Sequence, residues 1–172
     1  MSLTKNIFLK YPNDYFIETG SYMGDGISLA IESKFKNIIS IELSENFFNF
    51  CTEKFKSNEN VHLYLGDSEI ILRDIITNID KPITFWLDGH YSACGTALGL
   101  HESPLMYELN IIKEHNIKNH TIIIDDLRCW VKPQYEFDVN DVINKLKEIN
   151  PNYEFIYEDG YIENDVLVAF IK

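Results

Sequence analysis

The chain has 172 residues, which fits one domain with an ordinary hydrophobic core. Hydrophobic residues make up 45% of it, so it is no disordered segment, and runs such as Ile38–Ile41 and Thr121–Ile124 are strand-sized, far short of a membrane span of about 20 residues. The formal net charge is −12 and only two arginines occur, Arg73 and Arg128, which argues against a nucleic-acid partner, because phosphate binding takes clustered Lys and Arg.

Apolar β-rich runs alternate with helix-period segments along the chain. The first run, Tyr15-Phe16-Ile17, ends at Glu18 and is followed by glycines and a helix over roughly 27–33. The second, Asn37–Glu42, precedes a helix from Ser44 to Phe55, with Ser44 as N-cap. The third, Val61–Leu65, leads through Gly66-Asp67 into a helix near Ser68–Thr77. The fourth, Ile83–Leu87, ends at Asp88. A long loop, Tyr91–Glu102, then leads to Ser103-Pro104, an N-cap and first helical residue, and a helix over Leu105–His115. Glu108 reads as a helix-face residue there. The fifth run, Thr121–Ile124, ends at Asp125-Asp126, and Asp138 caps a helix reaching Ile149. Two last runs, Tyr153–Glu158 and Asp165–Ile171, flank a turn at Asp159-Gly160 and read as an antiparallel hairpin.

Five strand–helix alternations imply an α/β domain. The expectation is a Rossmann-like, doubly wound, mostly parallel sheet with a C-terminal antiparallel hairpin. No repeat, linker or low-complexity tract divides the chain, so residues 1–172 read as a single domain. Ligands of such sheets bind beyond the carboxyl ends of the strands. Glu18, Glu42, Asp67, Asp88 and Asp125-Asp126 all stand at or near those ends. Acids also favour helix N-caps, which accounts for some of these positions.

Glu18-Thr19-Gly20-Ser21-Tyr22-Met23-Gly24-Asp25-Gly26 joins the first strand to its helix with the spacing G-x-x-x-G-x-G. That differs from the dinucleotide fingerprint G-x-G-x-x-G and so disfavours a nicotinamide enzyme. It resembles motif I of the class I S-adenosylmethionine (SAM) methyltransferases. Glu42 stands where an acid can accept from both hydroxyls of a ribose, and Gly66-Asp67-Ser68 resembles the position beside the adenine in that family. With the terminal hairpin the resemblance covers nearly the whole chain. It implies SAM as cofactor, bound by Glu18, Gly20, Ser21, Gly24, Gly26, Glu42, Asp67, Ser68 and Asp88, with Glu18 and Asp88 toward its cationic end. For Glu18, stabilisation of the following helix N-terminus is the plainer alternative.

The fourth and fifth strands of such a sheet are neighbours, so Asp88, Asp125 and Asp126 share one edge. Crowded carboxylates repel unless a cation joins them, and an oxygen-only ligand set suits Mg2+. The pattern resembles metal-dependent O-methyltransferases of the macrocin sugar type. That resemblance implies a metal at Asp88, Asp125 and Asp126, with Asp88 and His90 as catalytic residues and His90 at the general-base position, where an acid is usual. A histidine can accept a proton near neutral pH, and a plain loop hydrogen bond is the competing role. His90, Cys94 and His101 share the loop but match no zinc spacing. Tyr91 and Trp130 could floor a sugar or aromatic ring, although core packing is the commoner use of an aromatic.

Cys51, Cys94 and Cys129 are odd in number and far apart, which fits a reduced, cytoplasmic compartment. Little chain precedes the first strand to close the site, which points to a homo-oligomer or a large, exposed acceptor. The leading expectation is a Mg2+-assisted SAM-dependent O-methyltransferase acting on a hydroxylated small molecule or glycan, with neither nucleic acid nor membrane as partner. A non-catalytic SAM-fold module for binding or assembly is the alternative.

Overall fold

The computed structural model describes residues 7–91, 97–131 and 135–172. Among them the elements in chain order are α1 (Ile7–Lys10), β1 (Tyr15–Thr19), α2 (Asp25–Glu32), β2 (Asn37–Glu42), α3 (Glu45–Phe55), β3 (Val61–Leu65), α4 (Ser68–Ile76) and β4 (Ile83–Leu87). They continue with α5 (Leu105–Glu114), β5 (Thr121–Ile124), a single 3-10 turn at Leu127–Cys129, α6 (Val139–Ile149), β6 (Glu154–Glu158) and β7 (Val166–Phe170). The seven strands form one sheet in the order β3-β2-β1-β4-β5-β7-β6. The first five are parallel. β7 is antiparallel to both β5 and β6, so the terminal hairpin inserts its second strand against the parallel part.

Alternate residues of each strand point to opposite faces, and both faces of the central strands are covered, which is why β1, β2, β4, β5 and β7 read as nearly continuous apolar runs, while the edge strands β3 and β6 are partly exposed. On one face Ile17, Ile41, Phe85, Leu87, Ile122 and Leu167 pack under Leu72, Leu109, Ile112, Val142 and Leu146 of α4, α5 and α6. On the other, Phe16, Ile38, Trp86, Ile123 and Val168 meet Ile27, Ala30, Cys51 and Phe55 of α2 and α3. The one-turn helix α1 has no sequence periodicity to reveal it. It inserts Phe8 edge-on against Phe16 and Trp86, at ring-centroid distances of 4.8 and 5.4 Å. No helix among the described residues is long and apolar enough to cross a membrane.

The strands that matter for the site end at one level. Thr19 pairs with both Ile41 and Leu87, and Leu87 with Ile124. The residue after each strand then extends the ladder by one more bond. Gly20 N–H donates to Ile41 O at 2.9 Å, Asp88 N–H to Thr19 O at 3.2 Å and Asp125 N–H to Leu87 O at 3.3 Å. Gly66 N–H donates to Glu42 O at 2.9 Å in the same way. The backbone therefore sets Gly20, Gly66, Asp88 and Asp125 in a row along the carboxyl edge of the sheet.

Two aspartates cap their helices with side-chain hydrogen bonds. Asp67 caps α4 by accepting from Glu69 N–H. At α5 the first helical residue is Leu105, so the cap falls on Pro104, one residue later than Ser103-Pro104 suggests. Asp138 caps α6 with a reciprocal capping box, its carboxylate taking Asn140 and Asp141 N–H while Asp141 returns to Asp138 N–H. Asp138→Ala removes the partner of both donors and should cost about 1 kcal/mol. Urea denaturation checks this: the midpoint should fall with an unchanged slope, and an unchanged midpoint would show that the box contributes nothing.

Candidate functional site

A cavity of about 400 Å3 opens beyond the carboxyl ends of the parallel strands. Its floor is Gly20, Gly66, Asp88 and Gly89. One flank carries Tyr22, Glu42, Leu43, Phe47, Asp67 and Ser68. The other carries His90, Asp125, Asp126, Arg128 and Tyr161, and Gly99, His101 and Glu102 border it from the loop before α5.

The flank on the β2–β3 side carries two carboxylates held in place by backbone donors. Glu42 Oε2 accepts from Tyr22 N–H at 2.8 Å and Oε1 from Ser44 N–H at 2.7 Å. Those bonds fix the carboxylate in one orientation. A carboxylate has about four lone-pair sites, so each oxygen keeps one for a ligand hydroxyl. Asp67 Oδ1 accepts from Glu69 N–H at 3.0 Å and Oδ2 from Leu100 N–H at 3.1 Å, which ties the later loop to the helix start. Gly20 has φ +87°, and a Cβ there would lie 2.9 Å from Asp88 O, so only glycine allows the two strand ends to approach this closely.

Four of the residues attributed to cofactor binding stand behind the cavity wall. Glu18 is fully buried. Ser40 donates to Glu18 Oε2 at 2.5 Å, and Ser21 and Ser40 share a 2.6 Å hydroxyl contact. Burial pushes the Glu18 carboxyl up to about 8 despite the Ser40 bond, with Glu42 and Asp25 adding to the rise. Its Oε1 has no partner and lies where a Cβ on Gly26 would come within 1.8 Å. Gly26 is therefore needed for Glu18 to reach under the helix start. Gly24 likewise packs on Phe55 and Cys51. These residues shape the loop, while Gly20, Glu42, Asp67, Ser68 and Asp88 line the space.

Glu108 turns inward. It is buried and accepts from Ser68 Oγ at 2.6 Å, and burial lifts its carboxyl to about 7. The helix face that carries it is the one against α4, so it props the Ser68 side of the cavity from behind.

On the opposite flank His90 lies between two carboxyl groups. Its Nε2 is 3.2 Å from Asp126 Oδ2, and its Nδ1 is 3.8 Å from Asp88 Oδ1, beyond hydrogen-bond reach. Nδ1 has no partner. Burial lowers the His90 pKa, partly offset by Asp126. Burial, then Asp125 and Asp126, hold the Asp88 carboxyl well above the usual range, and burial with Asp126 lifts Asp125 to about 6. Asp126 adopts the left-handed conformation at φ 62° and gives its N–H to Asp125 Oδ1 at 2.8 Å. Its carboxylate pairs with Arg128, which also pairs with Asp165.

Among the described residues two sets approach metal-ligating spacing, with ligand atoms all within 4.8 Å: Asp125, Asp126 and Asp165, and His90, Asp126 and Cys129. Asp88 belongs to neither, because His90 is wedged between it and Asp126. Trp130 is buried, stacks on Phe137 at 5.3 Å and donates to Asp125 O at 3.2 Å, so it serves the core. Tyr91 does line the cavity. His101 is engaged by Glu69 at 2.9 Å and by Tyr107 at 2.9 Å, and Cys94 lies outside the described residues. Sequence reasoning passed over Arg128, Asp165 and Tyr161. The available signal was an arginine two residues after Asp125-Asp126 in a chain with only two arginines.

The strand order, with β7 antiparallel beside β5, is that of the class I SAM-dependent methyltransferases, and comparison with solved structures shows the same fold. A Streptococcus mutans methyltransferase candidate in complex with S-adenosylhomocysteine superposes with a TM-score of 0.62 at 16% identity, over 97% of this chain and 95% of that one. Aeropyrum pernix fibrillarin with natively bound SAM gives 0.62 at 9% identity, covering 97% and 71%. A candidate O-methyltransferase from Klebsiella pneumoniae gives 0.62 at 12%, covering 92% and 73%. No protein-family profile matches the chain. Among curated proteins, ribosomal RNA small subunit methyltransferase A of Prochlorococcus marinus strain AS9601 is 32% identical over 80 residues, 46% of this chain and 28% of that protein. The strain MIT 9301 protein is 29% identical over 113 residues, 65% and 39%. The chain thus spans well under half the length of the curated relatives it matches.

The buried Glu108 makes a pH prediction. Folding raises its pKa from 4.5 to about 7, so the folded chain holds the proton more tightly than the unfolded chain. That stabilising contribution is full below the unfolded value and is lost as pH rises through about 7. Glu108→Gln keeps an acceptor for Ser68 without a charge to bury. Its melting temperature should gain on the wild type progressively across that window, and a constant offset between the two proteins would contradict the assignment.

Proposed function

We propose that the protein is a SAM-dependent O-methyltransferase acting on a hydroxylated small molecule or glycan. The observation that carries this reading is the division of one cavity into two walls. Glu42, Asp67 and Ser68 form a nucleoside-binding wall, and His90 sits on the other with an unpartnered ring nitrogen. The residues fit the cofactor: Glu42 keeps two oriented lone pairs for the ribose hydroxyls, and Gly20 removes any side chain from the floor. When bound, SAM supplies an electrophilic methyl group. The neighbours that hold SAM or S-adenosylhomocysteine in the same fold support this choice.

His90 takes the acceptor proton in this reading. Asp126 Oδ2 lies 3.2 Å from Nε2 and orients the ring, and Nδ1, buried and without a partner, is the nitrogen that would take the hydroxyl proton. Asp126 then faces the imidazolium and stabilises it, as a carboxylate does behind any histidine base. Burial, then Asp125 and Asp126, raise the pKa of the Asp88 carboxyl, which disfavours a further negative charge beside the departing hydroxyl proton. Tyr91 and Tyr161 at the cavity border suit the apolar face of a sugar or aromatic ring.

Of the residues expected to hold Mg2+, Asp88, Asp125 and Asp126, the last is already paired with Arg128, and His90 stands between it and Asp88, so the set does not fit the ion as it stands. The net charge of −12 supports a small acceptor over a polynucleotide. A homo-oligomer and a cytoplasmic setting remain part of the proposal.

Calorimetry tests the cofactor reading. S-adenosylhomocysteine should bind with one site and NAD should not. Glu42→Ala should weaken binding by about 10- to 100-fold, the worth of hydrogen bonds to a charged group. A folded wild type that binds no S-adenosylhomocysteine would favour the non-catalytic module instead. With an acceptor from a hydroxylated-compound screen, His90→Ala should lower kcat by about 10²–10⁴ while cofactor affinity holds. Unchanged kcat would remove His90 from the mechanism.

A further inference from the structure

The wall behind His90 carries more negative charge than proton transfer uses. Asp125, Asp126 and Asp165 bring carboxylate oxygens within 4.8 Å of one another, and Asp165 has a fully buried side chain. Such a cluster needs a cation. One terminal guanidinium nitrogen of Arg128, Nη1, bridges Asp126 and Asp165. The rest of the residue is built to hold it there. Arg128 N–H donates to Asp165 Oδ1 at 3.0 Å, and Leu127 N–H donates to Asp165 O at 2.9 Å. Asp165 therefore clamps Arg128 at both its backbone and its head group. Tyr161 lies over the guanidinium with its ring centroid 4.9 Å away.

We propose that Arg128 is the resident cation of this cluster, occupying the position between Asp126 and Asp165 that a divalent ion would need, so that the protein neither binds nor requires a metal there. Guanidinium stays charged throughout the physiological range and cannot be chelated away. Held by it, Asp126 stays under His90 Nε2 without a metal ion. The same three carboxylates are the ligands of a hard cation once the arginine is removed. Arg128→Ala therefore converts a wall bridged by its own arginine into a metal site.

The test is a Mn2+ titration of the full chain followed by the free-ion paramagnetic resonance signal, without cofactor or acceptor. Its outcome does not depend on the methyltransferase reading. Wild type should leave Mn2+ free. Arg128→Ala should take up one equivalent, and Asp165→Asn in that background should release it. Arg128→Gln serves as the second variant if Arg128→Ala fails to fold, as judged by near-ultraviolet circular dichroism. Saturable Mn2+ binding by wild type that Asp126→Asn abolishes would overturn the proposal. So would folded Arg128→Ala or Arg128→Gln protein that binds no Mn2+.

Discussion

Burying carboxyl groups at the end of a sheet covered on both faces is the constraint around which this molecule is arranged. Each such group must be given a proton, a set of donors or a fixed cation. Glu18 and Glu108 take the first course, backed by serine hydroxyls, and their pKa values rise to about 8 and about 7. Glu42 takes the second, with two backbone N–H donors. Asp126 and Asp165 take the third through Arg128. The cavity is the space these solutions leave open, and the two ways of keeping a carboxylate oriented define its two walls.

Much of this was legible in the sequence because a doubly covered parallel sheet writes itself as unbroken apolar runs. All seven strands lie where β-rich runs stand in the sequence, and of the acids at their ends Glu42, Asp67, Asp88, Asp125 and Asp126 line the cavity, while Glu18 lies behind it. The strand-end rule works for a physical reason. Gly20, Asp88 and Asp125 each continue a ladder by one backbone bond, so a residue just past a strand is placed as firmly as one inside it.

What sequence could not convey was depth and pairing. Glu18, Ser21, Gly24 and Gly26 belong to the glycine loop by spacing, yet they lie a layer behind the cavity because the loop turns back over β1 to seat Glu18 beneath α2. Glu108 looks like any acid on an amphipathic helix until α4 is placed beside it. Asp165 is 37 residues from Arg128 along the chain, and only the insertion of β7 next to β5 brings them together. The metal expectation at Asp88, Asp125 and Asp126 did not take account of Arg128, which pairs with Asp126 and with Asp165 beside it.

The account rests on one cavity having a nucleoside wall and a separately neutralised acceptor wall. A crystal structure of the protein with S-adenosylhomocysteine, grown in the presence of Mg2+, tests it most directly. The account predicts the ribose hydroxyls on Glu42, the adenine toward Asp67 and Ser68, and Arg128 still bridging Asp126 and Asp165. A ligand seated away from Glu42, or a metal ion standing between Asp126 and Asp165 with Arg128 swung aside, would contradict it.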